Sequence, residues 1–170
     1  MPPEFEFALL LTFPAMMALG GSFDLLTMTI PNRVSIALVA IFPAAAACAG
    51  LGGAAIAGHL AAGVLMLAVG ILMFARGWLG GGDAKLLAAA SLWLGFEHLA
   101  GYLLLVAVFG GVLALLLISY RRLAPPLWVC SQAWALRLHD SKVGIPYGIA
   151  LAVAALWIYP STLLFAGLVS

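Results

Sequence analysis

The chain has 170 residues, of which 66% are hydrophobic and 8% charged, with a formal net charge of +1. A soluble domain carries about 25% charged residues, so this composition cannot furnish a water-facing surface, and the mean hydropathy of +1.21 agrees. A soluble enzyme, a nucleic-acid binder with a basic face and a disordered or disulfide-framed secreted domain are excluded, leaving one bilayer domain over residues 1–170.

Charges, prolines and glycines divide the chain into apolar runs at 5–23, 34–49, 54–75, 84–96, 99–120 and 145–168. The first follows Glu4 and Glu6. A secretory signal would be basic there, so a retained helix is expected. Pro31-Asn32 starts the second, with Asn32 the expected N-cap. In the third, His59 is expected as a hydrogen-bonded packing residue. The fourth is about 13 residues, roughly 20 Å at 1.5 Å per residue. Gly95, Glu97 and His98 put a turn after it, so 84–120 reads as two helices. Pro125-Pro126 ends the fifth. Residues 127–138 then arrange Leu127, Trp128, Trp134, Arg137 and Leu138 as a segment for the headgroup plane. The last run opens Gly144-Ile145-Pro146-Tyr147-Gly148, whose Pro and Gly would loosen a helix end. The glycines of 50–53 and the pair Gly110-Gly111 are expected as helix-packing contacts.

Basic residues test this layout. Arg33, Arg76, Lys85, Arg121, Arg122, Arg137 and Lys142 all fall in the connections 24–33, 76–85 and 121–144, and they are all seven of the Lys and Arg in the chain. The alternate segments hold Glu4, Glu6 and Glu97 and no base. Cytoplasmic loops collect Lys and Arg. The prediction is an all-α membrane protein with six transmembrane helices, both termini extracytoplasmic and one interfacial segment in the 121–144 connection. Cys48 and Cys130 would then lie on opposite sides, against a disulfide, and the absence of any CxxC pair excludes a zinc ribbon.

Two aspartates stand out. Asp24 follows the first run directly, and Asp83 closes Gly80-Gly81-Gly82-Asp83 with Lys85 two residues on. Two predicted helices separate them, so both face the same side of the membrane. Two carboxylates brought close cannot both ionise cheaply, and they share a proton. Such a pair can take a proton from water as it attacks a peptide carbonyl and pass one to the leaving amine. Glycines without Cβ atoms would let an extended peptide approach.

Taken singly, each feature has a simpler explanation. Asp24 and Asp83 could be helix-end residues in the headgroup zone, and Asp83 could cap the fourth helix. Lys85 could pair with an anionic lipid or with an aspartate, tuning Asp83 if it sits close. Glu97-His98 and His139-Asp140 have too few companions for a metal site. A small ion- or proton-coupled transporter or channel component using the same aspartates is the alternative function. Ion flux in liposomes without proteolysis would distinguish it. A non-catalytic assembly subunit of a pilus or secretion apparatus would instead tolerate Asp→Asn changes.

In combination, Asp24 with Pro31-Asn32 behind it, Gly80-x-Gly82-Asp83 with Lys85, and Pro146-Tyr147-Gly148 resemble the type IV prepilin peptidases, the GxGD-type membrane aspartyl proteases. The resemblance implies that Asp24 and Asp83 are the catalytic pair. Gly80, Gly82, Lys85, Pro31, Asn32, Pro146 and Tyr147 would shape the site or bind substrate. It also implies an enzyme of the cell inner (cytoplasmic) membrane, without metal or organic cofactor. Its partners would be membrane lipids and a pilin precursor with a basic leader, whose hydrophobic stem packs laterally against the helices; no nucleic acid is implied. Larger members carry paired CxxC motifs in a cytoplasmic domain and N-methylate the product. This chain has neither, so it is similar to the short CpaA/TadV-like peptidases of Flp, or tight-adherence, pili, and no methyltransferase activity is expected. The oligomeric state and the junction residues are not implied.

Overall fold

In the computed structural model, which describes residues 3–124 and 131–169, all regular structure is helical. In chain order the helices are α1 (Pro3–Thr27), α2 (Asn32–Cys48), α3 (Gly53–Ala75), α4 (Gly81–Leu94), α5 (Phe96–Arg122), α6 (Ala133–His139), α7 (Tyr147–Ile158) and α8 (Leu163–Val169), with a 3-10 turn at Tyr159–Ser161. By length and composition α1, α3 and α5 can each cross a membrane, and α7 with α8 makes a fourth crossing if the bent pair is one span. The protein is therefore a multi-pass helical membrane protein. At 17 and 14 residues, α2 and α4 reach about 26 and 21 Å, short of a hydrocarbon core of about 30 Å.

The short helices lie innermost. In α4, Ala84 and every residue from Leu86 to Leu94 are buried, the pattern of a helix enclosed on all sides. α7 is nearly as enclosed, burying Gly148, Ala150, Leu151, Ala152, Ala154, Ala155 and Ile158. Around them, α1 packs on α7 and α2, α3 on α4, and α5 on α7. Several large polar side chains inside this apolar mass are matched to backbone carbonyls. Trp93 Nε1 donates to Leu38 O at 2.9 Å, Tyr102 Oη to Leu151 O at 3.4 Å, and Tyr159 Oη to Leu10 O at 3.2 Å. Phe13 stacks on Trp93 with centroids 5.3 Å apart. His59 is the packing residue expected, its Nδ1 2.8 Å from Leu92 O.

Helix ends follow local chemistry. Gly95, at φ +80, breaks the 84–120 run into α4 and α5, as read from the sequence. The last run is not one straight helix. Pro160 lies in the 3-10 turn that follows α7, the run bends by 58° between Ser161 and Leu163, and the carbonyls of Ile158 and Tyr159 accept from Ser161 Oγ and Thr162 Oγ1. Proline removes a donor and clashes with the preceding turn, so the α-helix does not continue through it. α6 is the described part of the segment expected in the headgroup plane; Pro125, Pro126, Leu127, Trp128 and Cys130 lie outside the described residues.

Of the glycines expected as packing contacts, Gly110 is one and the others are not. A Cβ on Gly50, Gly52, Gly53 or Gly111 would meet nothing within 4 Å, whereas at Gly110 it would stand 2.7 Å from the Tyr147 ring. The close approach is instead between α3 and α4. There a Cβ on Gly63 would lie 3.1 Å from Leu92 Cβ, and one on Gly70 3.0 Å from Ala84 Cβ and 3.2 Å from its Cα. Seven residues is two turns, so both glycines share one face, and their small size lets the backbones meet without a hydrophobic drive in lipid. Gly70→Val should therefore cost about 1–3 kcal/mol through overpacking, while Gly111→Val should change stability by less than about 0.5 kcal/mol. Thermal unfolding in detergent micelles checks both.

Candidate active site

Asp24 lies in the last turn of α1, three residues before its end. The helix closes at Met28, a left-handed residue at φ +57 whose N–H donates to Asp24 O at 2.8 Å, the single-bond left-handed stop of a helix. Thr27 Oγ1 donates to Phe23 O at 2.7 Å and lies 2.8 Å from Thr29 Oγ1. Pro31, extended at φ −61 and ψ 134, is the N-cap of α2. This tight connection lays Ile30 across the ends of two other helices.

Asp83 occupies the first turn of α4, whose N-cap is Gly80. Its carboxylate takes the Gly80 backbone N–H, the reach-back half of a capping box. Its Oδ1 is buried and has no hydrogen-bond partner among the described residues. The glycines are there because side chains would not fit. A Cβ on Gly80 would stand 2.8 Å from Asp83 Oδ2, and one on Gly82 3.0 Å from Ile30 Cβ and 3.3 Å from Ile30 N.

The two carboxylates come together. Asp24 and Asp83 line one cavity of about 290 Å³ with Met28, Thr29, Ile30, Asn32 and Gly80–Gly82, and they lie within electrostatic reach of each other. Asp24 is only 5% exposed. Its Oδ2 accepts the Gly148 N–H at 2.7 Å, so the N-terminus of α7 points at Asp24 as that of α4 points at Asp83. Exposed N–H groups and the helix dipole both favour a carboxylate there. With one Asp24 oxygen fixed by Gly148, two acids that line one cavity can orient a water between them.

The other expected site residues are distributed around this cavity. Asn32 lines it but is not the N-cap of α2. Pro31 takes that position without a side-chain cap, and Asn32 Oδ1 instead accepts Lys85 Nζ at 2.9 Å. That bond also answers the question of Lys85, whose ammonium is held by Asn32. Pro146 is the buried N-cap of α7, and Tyr147 turns its ring toward Gly110 of α5. Pro31, Lys85, Pro146 and Tyr147 thus stand behind the cavity and not in its lining. The Pro146–Gly148 stretch starts a helix and does not loosen one.

Three contributors were not legible as such. Gly148 was read as a loosening residue, yet its N–H holds Asp24, and a Cβ on it would stand 2.8 Å from both Asp24 Cβ and Oδ2. Arg137 donates to Leu26 O at 2.9 Å, supplying the cation that the last turn of α1 lacks. Arg121 donates to Leu138 O, Val143 O and Gly144 O at 2.9, 2.8 and 3.1 Å, tying down the connection that leads into Gly148. Arg121 had been counted toward membrane orientation, and Arg137 toward orientation and the headgroup segment; 111 residues separate Arg137 from its acceptor, and no local pattern signals such a bond.

Two acids at helix ends of a helical membrane bundle thus line one cavity. A model of the type IV leader peptidase family matches residues 11–115, a stretch that contains both aspartates. The chain belongs to that family, and is thus a membrane peptidase of the prepilin leader class. No curated protein and no solved structure matches it. The matched stretch stops short of α7, so the Gly148 support for Asp24 comes from beyond it. Gly148→Ala should displace the Asp24 carboxylate and lower leader-peptidase activity by about 100-fold, the scale of a misplacement of about 1 Å. Gly144→Ala, whose nearest neighbour would be Met28 Cε at 4.0 Å, should stay within about twofold; cleavage assays at equal membrane abundance compare them.

Proposed function

We propose that the protein is an aspartic endopeptidase that removes the basic leader from Flp-type prepilins at the cytoplasmic face, with Asp24 and Asp83 as the catalytic pair. The carrying observation is that these two acids, from separate helices, line one cavity. One carboxylate takes a proton from water as its oxygen attacks the scissile carbonyl, while the protonated partner hydrogen-bonds the carbonyl oxygen. The C–N bond then breaks as a proton passes to the leaving amine. Gly80 and Gly82 leave room for the extended junction, and Pro31, Asn32, Lys85, Pro146 and Tyr147 hold the walls in place.

The chain acts as a single domain over 1–170 that crosses the cell inner membrane six times, with both termini extracytoplasmic. The gathering of all seven Lys and Arg in three alternate connections supports this orientation. A crossing as short as α2 is accommodated by local thinning of the bilayer, and α4 is enclosed by its neighbours. The absence of paired CxxC motifs from the sequence supports the short CpaA/TadV-like form without methyl transfer, and the mechanism calls for no metal or organic cofactor.

Co-expression with a pilin precursor, followed by leader gel shift, tests the pair. Asp24→Asn and Asp83→Asn should each lower cleavage by at least about 10³-fold, and cleavage surviving either change would sink the mechanism. Because one carboxyl must carry a proton and the other must not, the rate should fall at both acid and alkaline limits. A pH–rate profile of the purified wild type in detergent reads this directly.

A further inference from the structure

A second cavity, of about 530 Å³, lies between α2, α3 and α4. Its walls are apolar, including Ile36, Val39, Leu60, Val64 and Leu67, and it opens sideways, with Val64 67% exposed. Asn32 lines both this groove and the aspartate cavity, so the two meet at the first turn of α2. From there the groove follows α2 to Ala40, about 12 Å or two helical turns.

Polar groups gather at the end nearest the aspartates. Lys85 and Asn32 bond each other there. One turn in, Ser35 lines the groove at 7% exposure, and its buried Oγ has no hydrogen-bond partner among the described residues. In hydrocarbon every backbone polar group must be satisfied, yet a helix beginning inside the bilayer leaves its first four N–H groups without partners. A buried hydroxyl at the polar end of an apolar groove supplies an acceptor at the place where such a helix would begin.

We infer that this groove receives the first two turns of the substrate's apolar helix, just beyond the scissile bond, with Ser35 Oγ accepting from the N–H groups of its opening turn. The inference rests on the peptidase reading and specifies the substrate side of the same site. A lipid chain is the other apolar occupant of such a groove, but it brings no N–H donors for the Ser35 hydroxyl.

The test compares two substrates of the purified enzyme: a full precursor and a soluble peptide spanning the junction but ending before the apolar helix. Val64→Trp, which fills the groove, should raise KM for the precursor by at least about tenfold and leave kcat/KM for the short peptide within about twofold. Leu115→Trp, on the exposed face of α5, should change neither. In parallel, a photo-crosslinking amino acid at position 64, in an Asp83→Asn background, should label the first two turns of the substrate helix, and one at position 115 should not. Unchanged precursor kinetics in Val64→Trp, equal loss on both substrates, or labelling of lipid alone from position 64 would each overturn the groove assignment. Wild type that cleaves neither substrate would overturn the peptidase reading, and this inference with it.

Discussion

A carboxylate buried in a membrane bundle must be given hydrogen bonds or it destabilises the fold, and Asp24 is given one by the backbone of Gly148. That contact joins the end of α1 to the start of α7 across most of the chain's length. It requires a residue without Cβ at 148, a buried proline before it to start the helix, and a connection held still by Arg121. Arg137, bonded to the carbonyl of Leu26, steadies the other partner. The second half of the chain thus serves as a holder for a residue supplied by the first.

The same economy shapes α4. Its length is too small for an ordinary crossing, but its apolar surface is enclosed by neighbours and not by lipid. An enclosed short helix can set its N-terminus at a chosen depth, and here the depth is that of Asp24. Gly63 and Gly70 let α3 and α4 approach until their backbones nearly touch, a contact held by close packing and by the His59–Leu92 hydrogen bond. Ile30, packed against both Gly82 and Gly148, locks the α1–α2 connection against the starts of α4 and α7. Three glycines, Gly80, Gly82 and Gly148, therefore act together as the space in which two acids and one isoleucine meet.

Between the aspartate cavity and the lateral groove stands the Lys85–Asn32 bond. A lysine stem can lie along apolar surface while its ammonium seeks a polar partner, and Asn32 offers one at the boundary of the two spaces. A cavity lined by two acids and an apolar lateral groove are thus neighbours in this fold, with Asn32 in the lining of both.

Composition alone determined that the chain is a helical membrane protein, because eight charged residues in a hundred cannot cover a soluble surface. The positions of the runs, the break at Gly95 and the placement of Asp24 and Asp83 at helix ends were also legible, since helix starts and stops depend on neighbours in sequence. Tertiary structure alone decided the rest. Pro31, and not Asn32, caps α2 because the asparagine found a better partner in Lys85. The last run bends after Ser161, where the hydroxyls of Ser161 and Thr162 donate to the carbonyls of Ile158 and Tyr159. Gly148 and the two arginines act on groups more than a hundred residues away, or through the backbone of distant loops. Such bonds leave no periodicity, because they are made by packing and not by chain adjacency.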